Sequence, residues 1–187
     1  GPGAVSSAAI EGILTLEASS ILAVTGGVIA TDSPYVLDVT GSTTLAGNST
    51  IDVANNGTGL GTLHLDDVNQ SGGNRSLTKT GPGTLALSGV LSFAVLNTSA
   101  GITNLNSSFT NGTINDNGAV VNLNVDQTLD ALNIGASGVV VLGGAAPAPL
   151  AFDAEVAAQA VPEPGSLHLL LAGALGWYAR RQRPQRR

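Results

Sequence analysis

Residues 77–89, which read Leu-Thr-Lys-Thr-Gly-Pro-Gly-Thr-Leu-Ala-Leu-Ser-Gly, decide the fold of this chain. Apolar and polar residues alternate before and after the central Gly-Pro-Gly, which is the pattern of β-strands with one buried face. Glycine and proline adopt the backbone angles of tight turns and interrupt strand pairing. The stretch therefore predicts two short strands that are joined by a sharp corner.

Similar alternating runs occur on both sides of this stretch, at residues 13–16, 43–45, 61–65 and 121–125. Each run ends near Gly, Asn, Asp or Ser, and none of them extends into a helical apolar stripe. Within residues 61–65, a period of two places Leu63 and Leu65 on one face and Thr62 and His64 on the other. The sequence thus predicts an all-β fold made of many short strands.

The spacing of these runs favours one architecture. Successive anchors lie 18, 22, 20, 18 and 19 residues apart, at Leu45, Leu63, Leu85, Leu105, Leu123 and Leu142. A period near 20 is typical of a β-solenoid, in which each coil buries its apolar face against the next coil. A β-sandwich, whose strands also recur at short intervals between turns, remains the alternative.

Composition excludes several classes of protein. The 187 residues include 25 glycines and no cysteine, and only 3% of them are aromatic. Without cysteine, disulfide-stapled folds, zinc fingers and thiol catalysis are excluded. A formal net charge of −6 with few aromatic residues argues against a nucleic-acid partner. The sequence predicts neither a cofactor nor a metal centre.

Residues 77–89 also resemble the autotransporter-associated β-strand repeat. The matching positions are Lys79, Gly81, Gly83, Thr84, Leu85, Leu87, Ser88 and Gly89. In that family the repeat forms coils of a right-handed parallel β-helix, so the resemblance implies this fold for residues 1–142. The usual Asn-Thr-Tyr-Thr-Gly continuation is absent, because residues 90–93 read Val-Leu-Ser-Phe.

The composition changes at residue 143. Residues 143–160 contain eight alanines and two prolines, which is typical of a linker. Residues 161–166 form a breaker-rich element that begins with Val161, Pro162, Glu163 and Pro164. A mainly apolar segment follows at residues 167–178, including Leu167, Leu169, Leu170, Leu171, Leu175 and Trp177. The chain then ends with Arg180, Arg181, Arg183, Arg186 and Arg187.

An apolar segment followed by a basic cluster is typical of a membrane helix whose arginines stay in the cytoplasm. Twelve helical residues reach only about 18 Å, against about 30 Å of bilayer hydrocarbon, so the segment suits a temporary anchor better than a permanent one. A buried C-terminal helix and an amphipathic surface helix are the alternatives.

The net charge differs between the two parts of the chain. Residues 1–178 carry −11 and residues 179–187 carry +5.

The order Pro-Glu-Pro, short apolar helix and arginine-rich end is similar to the PEP-CTERM sorting signal. The resemblance covers residues 161–187. It implies a protein exported by a Gram-negative bacterium, tethered transiently in the inner membrane and cleaved near Pro-Glu-Pro by an exosortase, a membrane-embedded, cysteine transpeptidase-like enzyme. Because residues 1–3 do not resemble a signal peptide, we expect that the chain lacks its original N-terminus.

Candidate ligand and catalytic sites are few. His64 lies near Asp66 and Asp67, but adjacent aspartates on a strand point to opposite faces, and at a strand end they more often close a turn. The glycine-rich residues 57–61 lack the lysine of a phosphate loop and predict a turn. Seven Asn-x-Ser/Thr sequons begin at Asn48, Asn56, Asn69, Asn74, Asn97, Asn106 and Asn111. For these we expect asparagine ladders inside a solenoid or solvated turns, and glycosylation is the alternative.

These features predict a non-enzymatic, exported cell-surface or exopolysaccharide-matrix protein, for example of a biofilm, with a structural or adhesive β-solenoid body. The predicted partners are the exosortase, the inner membrane during sorting, and exopolysaccharide or other cell surfaces. A polysaccharide-active β-helix enzyme and the passenger fragment of an autotransporter adhesin remain the alternatives.

Overall fold

The computed structural model describes residues 5–27 and 31–143, and within these ranges the chain forms β-strands and no α-helix. The first strands are β1 (Ser6–Ile10), β2 (Leu14–Leu16), β3 (Ile21–Val24), β4 (Tyr35–Val39), β5 (Thr43–Leu45) and β6 (Ser49–Val53). The middle strands are β7 (Gly61–Leu65), β8 (Val68–Gln70), β9 (Ser76–Thr80), β10 (Thr84–Leu87), β11 (Leu91–Ser92) and β12 (Val95–Thr98). The last described strands are β13 (Ile102–Leu105), β14 (Thr113–Asp116), β15 (Val120–Leu123), β16 (Ala131–Ile134) and β17 (Val139–Leu142).

These strands form three sheets. The first sheet has the order β1-β4-β7-β10-β13-β15-β17, the second β2-β5-β8-β11 and the third β3-β6-β9-β12-β14-β16. All of the paired strands are parallel. Because the chain visits the sheets in turn and pairs each strand with its equivalent in the next coil, the fold is a parallel β-solenoid. This confirms the solenoid and excludes the antiparallel sandwich, while the right-handed sense of the coil stays a prediction.

The core lies between the three sheets, as the alternating pattern predicts. Leu63 and Leu65 have no exposed surface, whereas Thr62 and His64 face outward and are half-buried. An unbroken apolar column stacks Val39, Leu65, Leu87, Leu105 and Leu123 in register along the first sheet. Each buried leucine contributes about 1.5–3 kcal/mol of transfer free energy, so the stack stabilises every coil through its neighbours.

The coil length is less regular than the leucine spacing predicts. Register places Ser6, Tyr35 and Gly61 in line, so the first two coils take 29 and 26 residues. The next coils take 22, 18, 18 and 19 residues. The six leucine anchors do not form one column, since Leu63 and Leu85 pair with each other, whereas Leu105, Leu123 and Leu142 form another column. Leu45 lies in the second sheet and pairs with Leu16, and Leu87 rather than Leu85 pairs with Leu105.

The coil from Tyr35 to Gly61 is longer than those that follow it, and part of its additional length forms a turn at residues 54–60. Asn56 and Gly59 exchange backbone hydrogen bonds of 2.9 and 3.0 Å, which confirms the predicted turn. The backbone N–H of Thr58 donates to Oδ1 of Asp32 at 2.6 Å. This hydrogen bond lowers the pKa of Asp32, because it favours the ionised carboxylate.

The predicted corner at Gly-Pro-Gly is confirmed. Strand β9 ends at Thr80 in the third sheet, and β10 begins at Thr84 in the first sheet of the next coil. Gly81 has φ of +75°, and a Cβ atom there would overlap the side chain of Asp52 and the backbone of Val53. Only glycine accepts both the positive φ and the close approach of the preceding coil.

The other positions of the motif lie at the corner or on strand β10, which follows it. Leu85 and Leu87 are buried in the core, Thr84 faces outward, and Ser88 follows β10. A Cβ atom at Gly83 or Gly89 would overlap atoms of the neighbouring coil. Burial in the core or close approach of the neighbouring coil therefore explains the residue type at most of these positions. The resemblance to the autotransporter-associated repeat stays a prediction.

Asparagine ladders follow the outer faces of the solenoid and not its interior, and among the sequon-bearing asparagines Asn97 belongs to one of them. Asn133 donates to Asn115 at 2.8 Å, and Asn115 donates to Asn97 at 2.9 Å, along the third sheet. On the first sheet, Asn122 donates to Asn104 at 2.7 Å. The amides satisfy one another at the spacing of the coils, so these polar columns add hydrogen bonds without adding charge.

The remaining predictions lie outside the described residues. They are the linker after residue 143, the sorting motif from Val161 to Pro164, the apolar segment at residues 167–178 with its C-terminal helix, and the five terminal arginines. In the described ranges, no helix is long and apolar enough to cross a membrane.

Candidate functional site

A row of five polar side chains runs across the strands of the first sheet, near their C-terminal ends, and we refer to it as the polar row. Its members come from five different coils and are Asp38, His64, Ser88, Asn106 and Asn124. Asp38 and His64 are directly paired in register on β4 and β7. Ser88, Asn106 and Asn124 each occupy the first position after a strand, at the corner where the chain leaves the first sheet.

The register explains how His64 reaches a residue beyond its own column. The residue paired with His64 on the next coil is Ala86, whose side chain is only a methyl group. The imidazole therefore has room to lean toward Ser88, and its Nε2 lies 2.5 Å from the Ser88 hydroxyl oxygen. On its other side, His64 Nδ1 lies 3.2 Å from Oδ1 of Asp38.

The hydrogen bonds of the polar row have a consistent direction. Nδ2 of Asn124 donates to Asn106 at 2.7 Å, and Nδ2 of Asn106 donates to the Ser88 hydroxyl at 3.3 Å. Because a carboxylate accepts only, Asp38 selects the His64 tautomer that carries its proton on Nδ1. Nε2 is then an acceptor, so the Ser88 hydroxyl donates to it. The row forms one polarised chain that ends at the Asp38 carboxylate.

The centre of the polar row is reachable from solvent. The side chains of His64 and Asp38 are 36% and 35% exposed. Ser88 lines an open surface depression of about 520 Å³, together with Asp67, Gly89, Val90, Leu91, Ser107, Ser108 and Thr110. A molecule held in this depression would therefore lie against Ser88.

The two aspartates that sequence analysis placed beside His64 have different environments. Asp66 Oδ1 lies 3.9 Å from Nε2 of His64, at the margin of an ion pair. Asp67 instead accepts a hydrogen bond of 2.7 Å from the backbone N–H of Val90. Asp67 thus joins its own coil to the next one, and the prediction that adjacent aspartates at a strand end terminate pairing or cap a turn stays a prediction.

Sequence reasoning missed the polar row because its members are 26, 24 and 18 residues apart, in coils of unequal length. A constant period cannot align Asp38 with His64, and no local motif joins either residue to Ser88. The only signal in the sequence is that His64 lies on an outward position of an alternating strand.

A second polar group lies inside the solenoid, at the Gly-Pro-Gly corner. The Lys79 side chain has no exposed surface, although it carries a charge. Its ammonium donates to the backbone carbonyls of Thr80, Gly81 and Ala100 at 2.6, 2.8 and 3.3 Å. Burial lowers the pKa of Lys79 to about 8, and the negative charge of Asp52 opposes this shift in part.

The Lys79 position continues as a polar column in the next two coils. Thr98 and Asp116 follow it in register on the third sheet, and both are fully buried. Thr98 donates to Oδ1 of Asp116 at 3.1 Å, and the backbone N–H of Ala119 donates to the same oxygen at 2.9 Å. These contacts close corners between coils, so we assign Lys79 to the architecture and not to a ligand site.

Within residues 5–27 and 31–143, no three or more His, Asp or Glu side chains are grouped so that they could hold a metal ion.

Comparison with known proteins identifies the C-terminal segment. Residues 160–183 match the model of the PEP-CTERM protein-sorting motif. This match confirms the sorting motif and indicates an exported protein that is processed by an exosortase and reaches the cell envelope or the extracellular space. No curated protein and no solved structure matches the chain significantly.

Proposed function

We propose that this chain is a cell-surface or extracellular-matrix protein of a Gram-negative bacterium, whose β-solenoid body is released from a transient inner-membrane anchor by an exosortase. The observation that carries the proposal is the sorting motif at residues 160–183, which follows a body made of stacked coils. The acidic, sparsely charged body and the basic end suit different locations, because the arginines hold the tail at the cytoplasmic side until cleavage.

The body has the properties of a spacer or an adhesive scaffold. Stacked coils give a rod whose length grows with the number of repeats, and its outer faces carry amide and hydroxyl groups at regular intervals. The ladders at Asn97, Asn115 and Asn133 and at Asn104 and Asn122 present such groups on two sheets. Uncharged polar surfaces of this kind suit exopolysaccharide or another cell surface as a partner. The prediction that the body is non-enzymatic stays a prediction. Measuring the reactivity of Ser88 in the polar row tests it.

The experiment that tests the sorting proposal alters the motif in the producing bacterium. Replacing Pro162, Glu163 and Pro164 together by alanine should prevent recognition by the exosortase. We expect the altered chain to remain in the membrane fraction with its arginine-rich end attached, while the unaltered chain reaches the outer fraction or the medium.

The matched control replaces Ser166 by alanine, which changes one residue next to the motif. This control should be sorted like the unaltered chain. Equal processing of the triple-alanine variant and the unaltered chain would show that Pro-Glu-Pro does not direct sorting.

A further inference from the structure

We propose that Ser88 and His64 form a nucleophilic centre that hydrolyses acyl esters on hydroxyl-rich polymers, with Asp38 as the residue that positions His64. The proposal rests on the order of hydrogen bonds in the polar row, on the donor that Asn106 supplies, and on the depression that Ser88 lines.

The first argument is the order of the three side chains. A serine nucleophile needs a base that accepts its proton and a third group that holds the base in the correct tautomer. Ser88 lies 2.5 Å from His64 Nε2, and Asp38 lies 3.2 Å from His64 Nδ1. The first distance is short enough for proton transfer from Ser88 to His64, and the second is that of a hydrogen bond that positions the ring. The carboxylates of Asp38 and Asp66, on two sides of the ring, also stabilise the imidazolium that forms on proton transfer.

The second argument is the donor on the opposite side of the nucleophile. Nδ2 of Asn106 lies 3.3 Å from the Ser88 oxygen, and Asn124 holds the other end of the Asn106 amide. The side-chain amide nitrogen carries two N–H groups, so the one that does not donate to Ser88 can stabilise the negative oxygen of a tetrahedral intermediate. The backbone N–H groups of Ser88 and Gly89 are already bonded to carbonyls of Leu65 and Asp66. Of these three groups, only the Asn106 amide is a donor directed at the Ser88 oxygen, and a single donor suits ester bonds better than amide bonds.

The third argument concerns the substrate class. The depression beside Ser88 is open, and its lining includes the exposed, hydroxyl-bearing residues Ser108 and Thr110. Such a surface can hold a segment of a polyhydroxylated chain along the rod, and it has no deep apolar tunnel for a long acyl tail. The ligand chemistry that fits is a short acyl group esterified to a hydroxyl of a polysaccharide.

The reaction balances with water as the only co-reactant. The Ser88 oxygen attacks the acyl carbon while its proton moves to His64 Nε2. The bond between the acyl carbon and the alcohol oxygen then breaks, and His64 returns the proton to the leaving alcohol. Water attacks the acyl-serine ester and gives a proton to His64, the bond to Ser88 breaks, and the serine oxygen regains the proton. The products are a carboxylic acid and the free hydroxyl.

The test uses the full chain and a fluorophosphonate reagent, which forms a bond from phosphorus to a nucleophilic serine oxygen with loss of fluoride. Mass spectrometry of peptides then locates the label. We expect Ser88 to be labelled at least about 100-fold faster than Ser92, an exposed serine on β11 that does not contact His64. His64→Gln should lower the labelling rate of Ser88 by at least about 100-fold, whereas Ser92→Ala should leave it unchanged.

Asp38→Asn distinguishes a positioning role from a structural one. The variant should slow labelling of Ser88 by about tenfold or more, and Asp38→Glu should restore part of the rate, because a carboxylate can again accept from Nδ1 of His64. Thermal unfolding of each variant shows whether the fold is retained. Hydrolysis of p-nitrophenyl acetate and release of acetate from an O-acetylated polysaccharide then measure turnover.

Two outcomes would overturn the proposal. The first is labelling of Ser88 at the rate of Ser92. The second is a labelling rate at Ser88 that His64→Gln leaves unchanged while the protein remains folded. Either result would make the polar row a structural ladder, and neither would affect the sorting motif at residues 160–183.

Discussion

Replacing the buried Lys79 by methionine should destabilise the solenoid by about 2–4 kcal/mol at pH 7. Methionine preserves much of the side-chain volume but removes a group that donates to three backbone carbonyls, at 2.6, 2.8 and 3.3 Å. Losing a hydrogen bond to a charged donor costs about 1.5–3 kcal/mol, and a carbonyl left unpaired in the interior adds to that cost. The loss is offset in part, because the ammonium no longer has to be buried.

The balance between the lost hydrogen bonds and the relieved cost of burying a charge decides whether Lys79→Met lowers or raises the stability of the protein. Replacing both members of a buried ion pair by apolar residues is often neutral or stabilising. Here the partners of Lys79 are backbone carbonyls of the corner, which no substitution can remove. The carbonyls of Thr80, Gly81 and Ala100 therefore lose their donor when the lysine is replaced, and the variant is less stable.

Urea denaturation provides the assay, and pH provides a second signature. The folded-state pKa of Lys79 is about 8, below its ordinary value of 10.5. Between these two values the unfolded chain binds more protons than the folded chain, so this group makes stability rise with pH and has no effect below about pH 8. The difference in unfolding free energy between the original protein and Lys79→Met should widen between pH 8 and 10.5, by at most about 3.4 kcal/mol.

Arg75→Met is the matched control, since Arg75 is the other Lys or Arg residue of the solenoid and is only half-buried, with its guanidinium donating to the solvent-exposed carbonyl of Ser71. This change should alter stability by less than about 0.5 kcal/mol and should leave the pH dependence unchanged. The reasoning is refuted if Lys79→Met is as stable as the original protein, or if the stability difference stays constant from pH 8 to 10.5.

Three further predictions concern the core, the ladders and the corner. Leu87→Ala should cost about 2–5 kcal/mol in urea denaturation, because Leu87 is fully buried between two leucines of the same column. Asn115→Ala should cost about 1–3 kcal/mol and more than Asn133→Ala, because the middle amide makes two ladder bonds and the last amide makes one, a difference that thermal unfolding can measure. Gly81→Ala should cost clearly more than Gly72→Ala, measured in the same way. Both glycines have positive φ, but only the Cβ at Gly81 would overlap the preceding coil.

Each of these comparisons has a contradicting result. A loss below about 1 kcal/mol for Leu87→Ala would show that the core is not packed as described. Equal effects of the two asparagine changes would show that the ladder is not continuous. Equal effects of the two glycine changes would show that the corner has no close approach.

The alternating strands and the Gly-Pro-Gly corner were predictable from sequence because their causes are local. A buried face requires apolar side chains at every second position, and Leu63 and Leu65 satisfy this within five residues. The corner needs glycine at Gly81, where φ is positive. Both requirements can therefore be recognised from neighbouring residues in the sequence.

Coil length was not predictable in the same way. Two leucines on one strand are equally apolar, so sequence cannot decide whether Leu85 or Leu87 pairs with Leu105. Strand pairing between coils settles the register, and it depends on how many residues each turn holds. The turn at residues 54–60 lengthens a coil without changing its inward pattern.

The polar row and the buried lysine have non-local causes. Asp38, His64 and Ser88 come together only because two coils of different length align them. Lys79 occupies an inward position that the pattern assigns to an apolar side chain, and only the carbonyls of a corner in the structure explain it. Sequence analysis could identify these residues as motif members or strand positions, but not their partners.

The central claim is that this solenoid is delivered by removal of its sorting tail, and the mass of the mature protein tests it most directly. The chain should be purified from its producing bacterium, with and without the exosortase, and its C-terminal peptide should be identified by mass spectrometry. We predict that the mature form ends near Pro162–Pro164 when the exosortase is present and retains Arg187 when it is absent. A chain that retains Arg187 in both strains, or loses it in both, would contradict the account.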